Sequence, residues 1–453
     1  MVSWEKFGIA FLLTIIGIWG PLKSWPQEPL PLPAESTQFS ELAGECADGF
    51  NYLFKAVVSG TVKQPSDSTQ NPSNDFLRIS RYTLKGELRP DFSLAVRDIK
   101  LSIKPRFIET WDEWEDGPQK GQSKTDDDIY VNEWLASYKL HENWFVSYGR
   151  ENLQWGPSFL LSPSNPFFRD NGQANPKQEV KGMDFARTVW VMSPAWTLSF
   201  IGNVGKGEQT SLYEFEPTYA LKIDYTAFRK YGSLIGSYTE NDRCRLGAFG
   251  GWTVSDGWML YAEGSLSPGT NVLYPRKEYF QPLELEYIHM LAAKEDSTSL
   301  EALLLLGGTY TFESGQAVSA EYVFNSAGYS HEEAELYYQY RRMASLFYDY
   351  PYPVGNLAKL ALLQTLDPRL RLLRQNYLMM QYQETQIWEK LSVIVRWTIN
   401  LDDASSQLIP ILGYDLGDHT QLFLIGNQNI GNSDTEFGSY IEYGVTLGLE
   451  YTF

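Results

Sequence analysis

The stretch from Tyr440 to Phe453 alternates without a break. Ile441, Tyr443, Val445, Leu447, Leu449, Tyr451 and Phe453 are apolar or aromatic, while Glu442, Gly444, Thr446, Gly448, Glu450 and Thr452 are acidic, small or hydroxylic. Successive side chains of a strand point to opposite faces, so this period of two predicts a strand with one apolar face and one polar or small face. Such a strand separates two media. One is water; the other is a protein core or lipid, and alternation alone does not choose between them. The apolar face runs through Phe453 with no polar tail, whereas the ends of soluble domains tend to fray into polar residues.

Composition narrows the choice. Aromatic residues make up 15% of the 453 positions (29 Tyr, 24 Phe, 14 Trp), yet only the stretch near the start comes close to the run of about 20 apolar residues that a membrane helix needs. A membrane barrel spreads its apolar content over alternate residues and sets aromatics at two interfacial girdles. A net charge of −19 argues against nucleic acid as a partner, since phosphate binding needs a cationic face. The two cysteines, Cys46 and Cys244, are too few for a disulfide framework, and whether they pair stays open. His141, His289, His331 and His419 show no metal-ligand spacing.

Taken in order, Lys6 and the apolar run Phe7 to Trp19 have the length of a secretory signal core. Residues 1–34 are therefore expected to be a signal peptide and Pro-rich leader, with an uncleaved anchor as the alternative, residues 35–48 a pre-barrel segment, and 49–453 the strands. Asn51 to Val62, Asp75 to Leu88 and Phe92 to Ile108 are the first expected strands. Two acidic runs, Trp111 to Gly117 and Asp126-Asp127-Asp128, are expected to be solvated loops rather than calcium sites. A hairpin follows, Trp134 to Leu140 and Trp144 to Tyr148 around His141-Glu142-Asn143. Further strands are expected at Trp258 to Leu266, Leu283 to Leu291 and Leu300 to Phe312. In Leu221 to Tyr225 and Leu391 to Leu401 the face opposite the apolar one carries Lys222, Asp224 and Arg396; in a barrel these line the lumen, together with Glu442 and Glu450 of the last strand. Residues 331–375 break the ladder with a partly helical insertion carrying Arg369, Arg371 and Arg374. The fold class is thus an all-β antiparallel transmembrane barrel of roughly 16 to 18 strands with one long loop insertion.

Two segments add a resemblance. Phe453 with Tyr451, Leu449, Leu447 and Tyr443 resembles the C-terminal signature of bacterial outer-membrane β-barrels, which the insertion machinery reads; Phe453 and Tyr451 would be the assembly signal. Tyr148-Gly149-Arg150, Gln154-Trp155-Gly156-Pro157 and Ser162-Pro163-Ser164-Asn165-Pro166-Phe167-Phe168 resemble a loop pattern of porin-like barrels and of barrels in capsule or exopolysaccharide assembly, as does Glu321-Tyr322-x-x-Asn325-x-x-Gly328-Tyr329. Arg150, Gln154, Trp155 and Asn165 would then meet a passing solute or sugar, or else the loop is a rigid piece folded on the wall. The resemblance also implies that Arg341, Arg342 and the arginines of the insertion face an acidic wall across the pore, and that Glu321 contributes to selectivity.

The sequence has no nucleophile elbow, phosphate loop or zinc motif, and Glu284 and Glu286 read as one polar wall, so no enzyme and no cofactor are expected. The expected function is an outer-membrane channel, monomeric or trimeric, for small hydrophilic solutes, surrounded by outer-membrane lipid and lipopolysaccharide. The alternative is a barrel that binds, assembles or exports surface polysaccharide.

Overall fold

The computed structural model describes residues 44–453 apart from 169–171, 173–174, 211–213, 241–243, 281–284 and 293–299. The chain divides into Met1–Asp48 and Gly49–Phe453. Of the first unit only 44–48 are described, as helix, so the expected signal peptide and most of the pre-barrel segment lie outside the described residues.

The strands are β1 (Phe50–Pro65), β2 (Tyr82–Val96), β3 (Ile99–Glu113), β4 (Ser123–His141), β5 (Trp144–Glu151), β6 (Met183–Ser193), β7 (Trp196–Gly205), β8 (Thr218–Ala227), β9 (Lys230–Thr239), β10 (Cys244–Thr253), β11 (Trp258–Pro268), β12 (Leu273–Phe280), β13 (Leu285–Ala292), β14 (Leu300–Thr311), β15 (Ala317–Asn325), β16 (Asn376–Ile387), β17 (Leu391–Asn400), β18 (Ser406–Asp415), β19 (Thr420–Ile430) and β20 (Ile441–Thr452). Apart from the β12–β13 hairpin, they form one antiparallel sheet of 18 strands. β20 pairs back onto β1 from Lys55↔Thr452 to Pro65↔Ile441, which closes the barrel and leaves no free edge. Among the described residues no helix is long and apolar enough to cross a membrane; the crossing elements are the strands.

Alternation sets the two faces. On β20, Val445, Leu447, Leu449 and Tyr451 are exposed on the outside, and Thr446, Gly448 and Glu450 face the lumen. At one end the strands are joined by turns of two to five residues; at the other the connections include 152–182 and 326–375. Trp144, Trp196, Trp252, Trp258 and Tyr451 are exposed near the short-turn end, an aromatic girdle of the kind that marks a membrane interface. This is the build of an outer-membrane barrel, with short periplasmic turns and longer external loops.

Some expected boundaries are corrected. The strands expected at Asp75 to Leu88 and Phe92 to Ile108 leave a break at residues 89–91, but β2 runs straight through it and turns only after Val96. Proline has no N–H for a ladder, and the pairing to β3 is interrupted between Leu88 and Phe92, while Pro90 still pairs with Phe54 on β1. The acidic runs are loops only in part: Trp111 to Glu113 end β3 and Trp114 to Gly117 lie in the β3–β4 loop, while Asp126 to Asp128 lie in β4, with Glu109↔Asp127 in register. The strand expected at 283–291 falls in the separate hairpin, outside the barrel wall.

The insertion holds two helices, α1 (His331–Leu346) and α2 (Val354–Leu366). Ser330 and Glu333 start α1 as a reciprocal capping box: Ser330 Oγ accepts from the Glu333 N–H at 3.3 Å, and the Ser330 N–H donates to Glu333 Oε2 at 2.8 Å. Cys46 and Cys244 are free thiols.

Candidate functional site

The long connection between β5 and β6, residues 152–182, folds inward over the lumen wall. Prolines 157, 163 and 166 limit its conformations, and Asn165, fully buried, braces it from within. The Asn165 amide donates to the Leu153 carbonyl at 2.9 Å, and its Oδ1 accepts from the N–H groups of Phe167 (3.0 Å) and Phe168 (3.3 Å).

What draws the loop inward is that the lumen face is not uniformly polar. Tyr261, Leu305, Val323 and Tyr377 form an apolar patch covered by Leu161, and Phe185, Ile201, Ala220 and Ile235 form another covered by Phe168. Inward apolar residues would otherwise face a water-filled pore, so covering them drives the loop onto the wall.

Two carboxylates fix it there. Glu263 on β11, 3% exposed, accepts from Ser158 Oγ (2.6 Å), Ser162 Oγ (2.5 Å), the Ser164 N–H (3.0 Å) and Ser164 Oγ (2.7 Å). Glu321 on β15, 1% exposed, accepts from the N–H groups of Phe159 (2.7 Å) and Leu160 (2.9 Å) and from the Tyr261 hydroxyl (2.8 Å). Gly156 is required at the bend: its φ is +91°, and a Cβ there would stand 2.2 Å from a Glu263 oxygen. From the insertion, Arg371 donates to the carbonyls of Ser162 (2.6 Å), Asn165 (3.0 Å) and Phe168 (2.8 Å).

The loop's return segment makes a shelf across β1 to β4 and β20. Lys177 pairs with Glu450 (3.2 Å), Glu179 with Arg106 (2.5 Å) and Lys181 with Asp128 (3.7 Å). Arg89 also donates to the Lys177 carbonyl at 2.9 Å. Beside the shelf lies an open cavity of about 760 Å³.

Several expected pore residues have other places. Glu321 is an anchor under the loop and Asn165 a brace within it; neither is available to a passing solute. Arg396 is 4% exposed, held by Gln381 Oε1 at 3.0 and 2.7 Å and sensing Glu321. Arg371 grips the loop, and Arg374, buried, donates to the Tyr329 carbonyl at 2.9 Å. Arg369 sits at a turn with φ +64°, its N–H on Asp367 at 3.0 Å. Arg341 and Arg342 do not face a wall across the pore: they staple α1 to the last loop through the Tyr440 hydroxyl (2.7 Å) and Asp434 (2.5 Å). Glu442 is exposed at the loop end of β20, where the pairing to β1 shifts register, so it is not deep in the lumen. Phe453 closes the β1 seam by exchanging backbone hydrogen bonds with Phe54 (2.9 and 3.0 Å), with Tyr451 exposed beside it.

The others stand on the lumen side. Lys222 pairs with Asp224 and lies 5.5 Å from the Trp155 ring centroid, and Trp155 packs edge-on against Phe167. Arg150 bridges Asp184 (2.8 Å) and Glu208 (2.5 Å), Gln154 donates to Asn152 at 2.9 Å, and Glu450 holds Lys177. Sequence reasoning misses Glu263, Arg106 and the shelf residues. A signal for Glu263 exists: in the strand expected at 258–266, Tyr261, Glu263 and Ser265 share the face opposite Leu260, Ala262 and Gly264.

At the external end of the barrel, Glu436 of the β19–β20 loop is partly buried. Its carboxylate accepts from the Leu373 N–H (3.0 Å), Asn400 Nδ2 (2.8 Å) and the Tyr377 hydroxyl, joining its own loop to the 326–375 connection and to the adjoining ends of β16 and β17. Burial, assisted by Asp403 and opposed by those donors, pushes this carboxyl up to about 7. A carboxyl raised from an unfolded value of about 4.3 gives its full contribution below that value and loses it as pH rises through about 7, on the order of 3 kcal/mol in all. Hydrogen exchange of 431–440 is therefore expected to quicken between about pH 4.5 and 7 beyond the intrinsic rate and to show no further excess above that, and Glu436→Gln to remove the excess. Equal excess in both proteins would refute the assignment.

No protein-family model matches the sequence, and no curated protein matches it. Solved structures do. Pseudomonas aeruginosa OccK11 (OpdR) is similar at 11% identity and a TM-score of 0.52, over 90% of this chain and 96% of that one. OccK7 (OpdD) of the same organism gives 10%, 0.51, 89% and 98%, and its OprD gives 6%, 0.50, 89% and 95%. At these identities the likeness shows a shared fold, that of the OprD/Occ porins.

Proposed function

We propose that this chain is an outer-membrane channel for the passive passage of small hydrophilic solutes. The observation that carries the reading is the lumen: a closed barrel of 18 strands, too wide for side chains to fill, is narrowed by an inward loop and keeps a polar, open cavity of about 760 Å³ beside it. The porin fold supports it. Lipopolysaccharide around the apolar belt and handling by the insertion machinery belong to the same reading. Polysaccharide capture at the cell surface is less well supported, because Trp155 and Asn165 are turned into the loop's packing.

Swelling of proteoliposomes in isosmotic solutes tests this. Vesicles carrying the protein are expected to swell in small polar solutes and to resist large ones. Swelling no faster than in protein-free vesicles would exclude passive passage.

A further inference from the structure

Three rows of lumen-facing residues are fixed by strand register. The first runs Glu450–Val57–Glu87–Ile108–Asp128, the second Phe423–Gly448–Ser59–Lys85–Thr110–Asp126, and the third Ile425–Thr446–Thr61–Thr83–Asp112. The shelf is tied to the first row through Glu450 and Asp128. The second and third rows, apart from Gly448 and Thr83, line the open cavity beside it, and two features of their chemistry point the same way.

Most of the charge there is already matched. Glu87 pairs with both Lys85 and Arg89 at 2.6 Å, the three shelf charges pair with the wall, and Asp126 pairs with Lys124 at 3.4 Å. An ion entering such a lining must compete with formed pairs and meets little unopposed field. Asp112, toward the loop end, accepts from Thr83 Oγ1 at 2.6 Å, and with Asp127, which also lines the cavity, it leaves an acidic rim.

Neutral groups that both donate and accept make up much of the remainder: the hydroxyls of Ser59, Thr61, Thr110 and Thr446, and the amide of Gln209. Thr61 and Thr446 share a hydrogen bond of 2.9 Å, which leaves each with capacity for a ligand hydroxyl. A buried apolar floor closes one end of the row. Phe423 lies over Gly448, where a Cβ would meet its ring at 2.3 Å, and with Val57 and Ile425 it lines the cavity. This end of the row is buried as the other apolar patches are: Phe423 and Val57 are each 3% exposed, and Lys177 Nζ stands 5.3 Å from the Phe423 ring centroid.

Resting on the channel reading, we infer that this cavity is a subsite for an uncharged polyhydroxylated solute of mono- or disaccharide size, whose hydroxyls meet the Ser/Thr rows. The volume is within the range of roughly 300–1,000 Å³ usual for small-ligand sites.

Single-channel recording of the whole protein tests it, with maltose, lysine and glutamate as separate additions at matched ionic strength. Maltose is expected to reduce the current saturably, and neither lysine nor glutamate to do so at the same concentration. In a KCl gradient the cation-to-anion permeability ratio should favour cations by no more than about threefold, because most of the lumen charges are paired and the excess is acidic. Thr110→Val and Thr61→Val, which keep shape and remove a hydroxyl, should each raise the half-blocking maltose concentration about five- to tenfold, as for one neutral hydrogen bond. Steps blocked by lysine or glutamate more readily than by maltose would overturn the inference, as would a maltose response unchanged in both valine variants. Absence of any steps would instead remove the channel reading beneath it.

Discussion

Replacing both Glu263 and Glu321 by alanine is expected to leave a closed barrel whose inward loop has come off the wall, seen as a larger unit conductance and much greater current noise. Between them these carboxylates accept seven hydrogen bonds, four at Glu263 and three at Glu321, and six of the seven come from the loop itself. Hydrogen bonds to a charged group contribute about 1.5–3 kcal/mol each, and removing the acceptor also leaves buried donors unmatched, so each substitution should cost the loop about 3 kcal/mol or more. The barrel need not unfold, since its own ladder of backbone pairs is untouched. Leu161 and Phe168 keep some hold through their apolar patches, and Arg371 through three carbonyls, so each single variant is expected to show an intermediate phenotype. Protease cleavage within 152–168 gives an independent reading. Unaltered conductance, noise and cleavage in the double variant would mean that these carboxylates do not hold the loop.

The second large effect separates lipid from water outside the barrel. Leu447 is 52% exposed on the outer face, and Thr446, one residue earlier, faces the lumen. An arginine on the lipid face near mid-membrane costs about 2–4 kcal/mol, whereas a lumen position lets it keep its water. Leu447→Arg should therefore destabilise the protein by that amount in bilayer folding titrations, while Thr446→Arg should change stability by less than about 1 kcal/mol and shift ion selectivity toward anions. A barrel whose outside faces water would tolerate Leu447→Arg at least as well as Thr446→Arg, so the order of the two effects decides the question.

Local pattern makes the barrel legible and leaves the loop's interior largely illegible. Alternation is a property of neighbouring residues, which is why Leu447 against Thr446, and Leu221 against Lys222, can be assigned to faces from residue order alone. Charges are less informative, because whether a carboxylate lines a pore or anchors a loop depends on what covers it. Glu321 and Glu450 read alike as inward acids, yet one lies under Phe159 and Leu160 and the other pairs with Lys177 beside open space. Arg371 reads as a pore cation because its partners, three carbonyls some two hundred residues earlier, leave no mark on a sequence. Pro90 misleads in the opposite direction. A proline usually ends a strand, but here the ladder to β3 has a gap that needs no N–H.

The acidic runs show the same limit. Asp126-Asp127-Asp128 looks like a solvated loop by composition, and it is solvated, but as the far end of a 19-residue strand. Strands that continue past the membrane face water on both sides, so their alternation fades and they resemble loops. Reading faces from alternation therefore works best where one side is lipid, and the β20 sequence, apolar outside through its length, is where that condition is met most fully.

The most direct test of a lumen open to solute is planar-bilayer recording of the refolded protein. Discrete, reproducible conductance steps on successive insertions are the expected result, enlarged in the Glu263→Ala, Glu321→Ala variant. A folded, inserted barrel that shows no steps in either protein would contradict it.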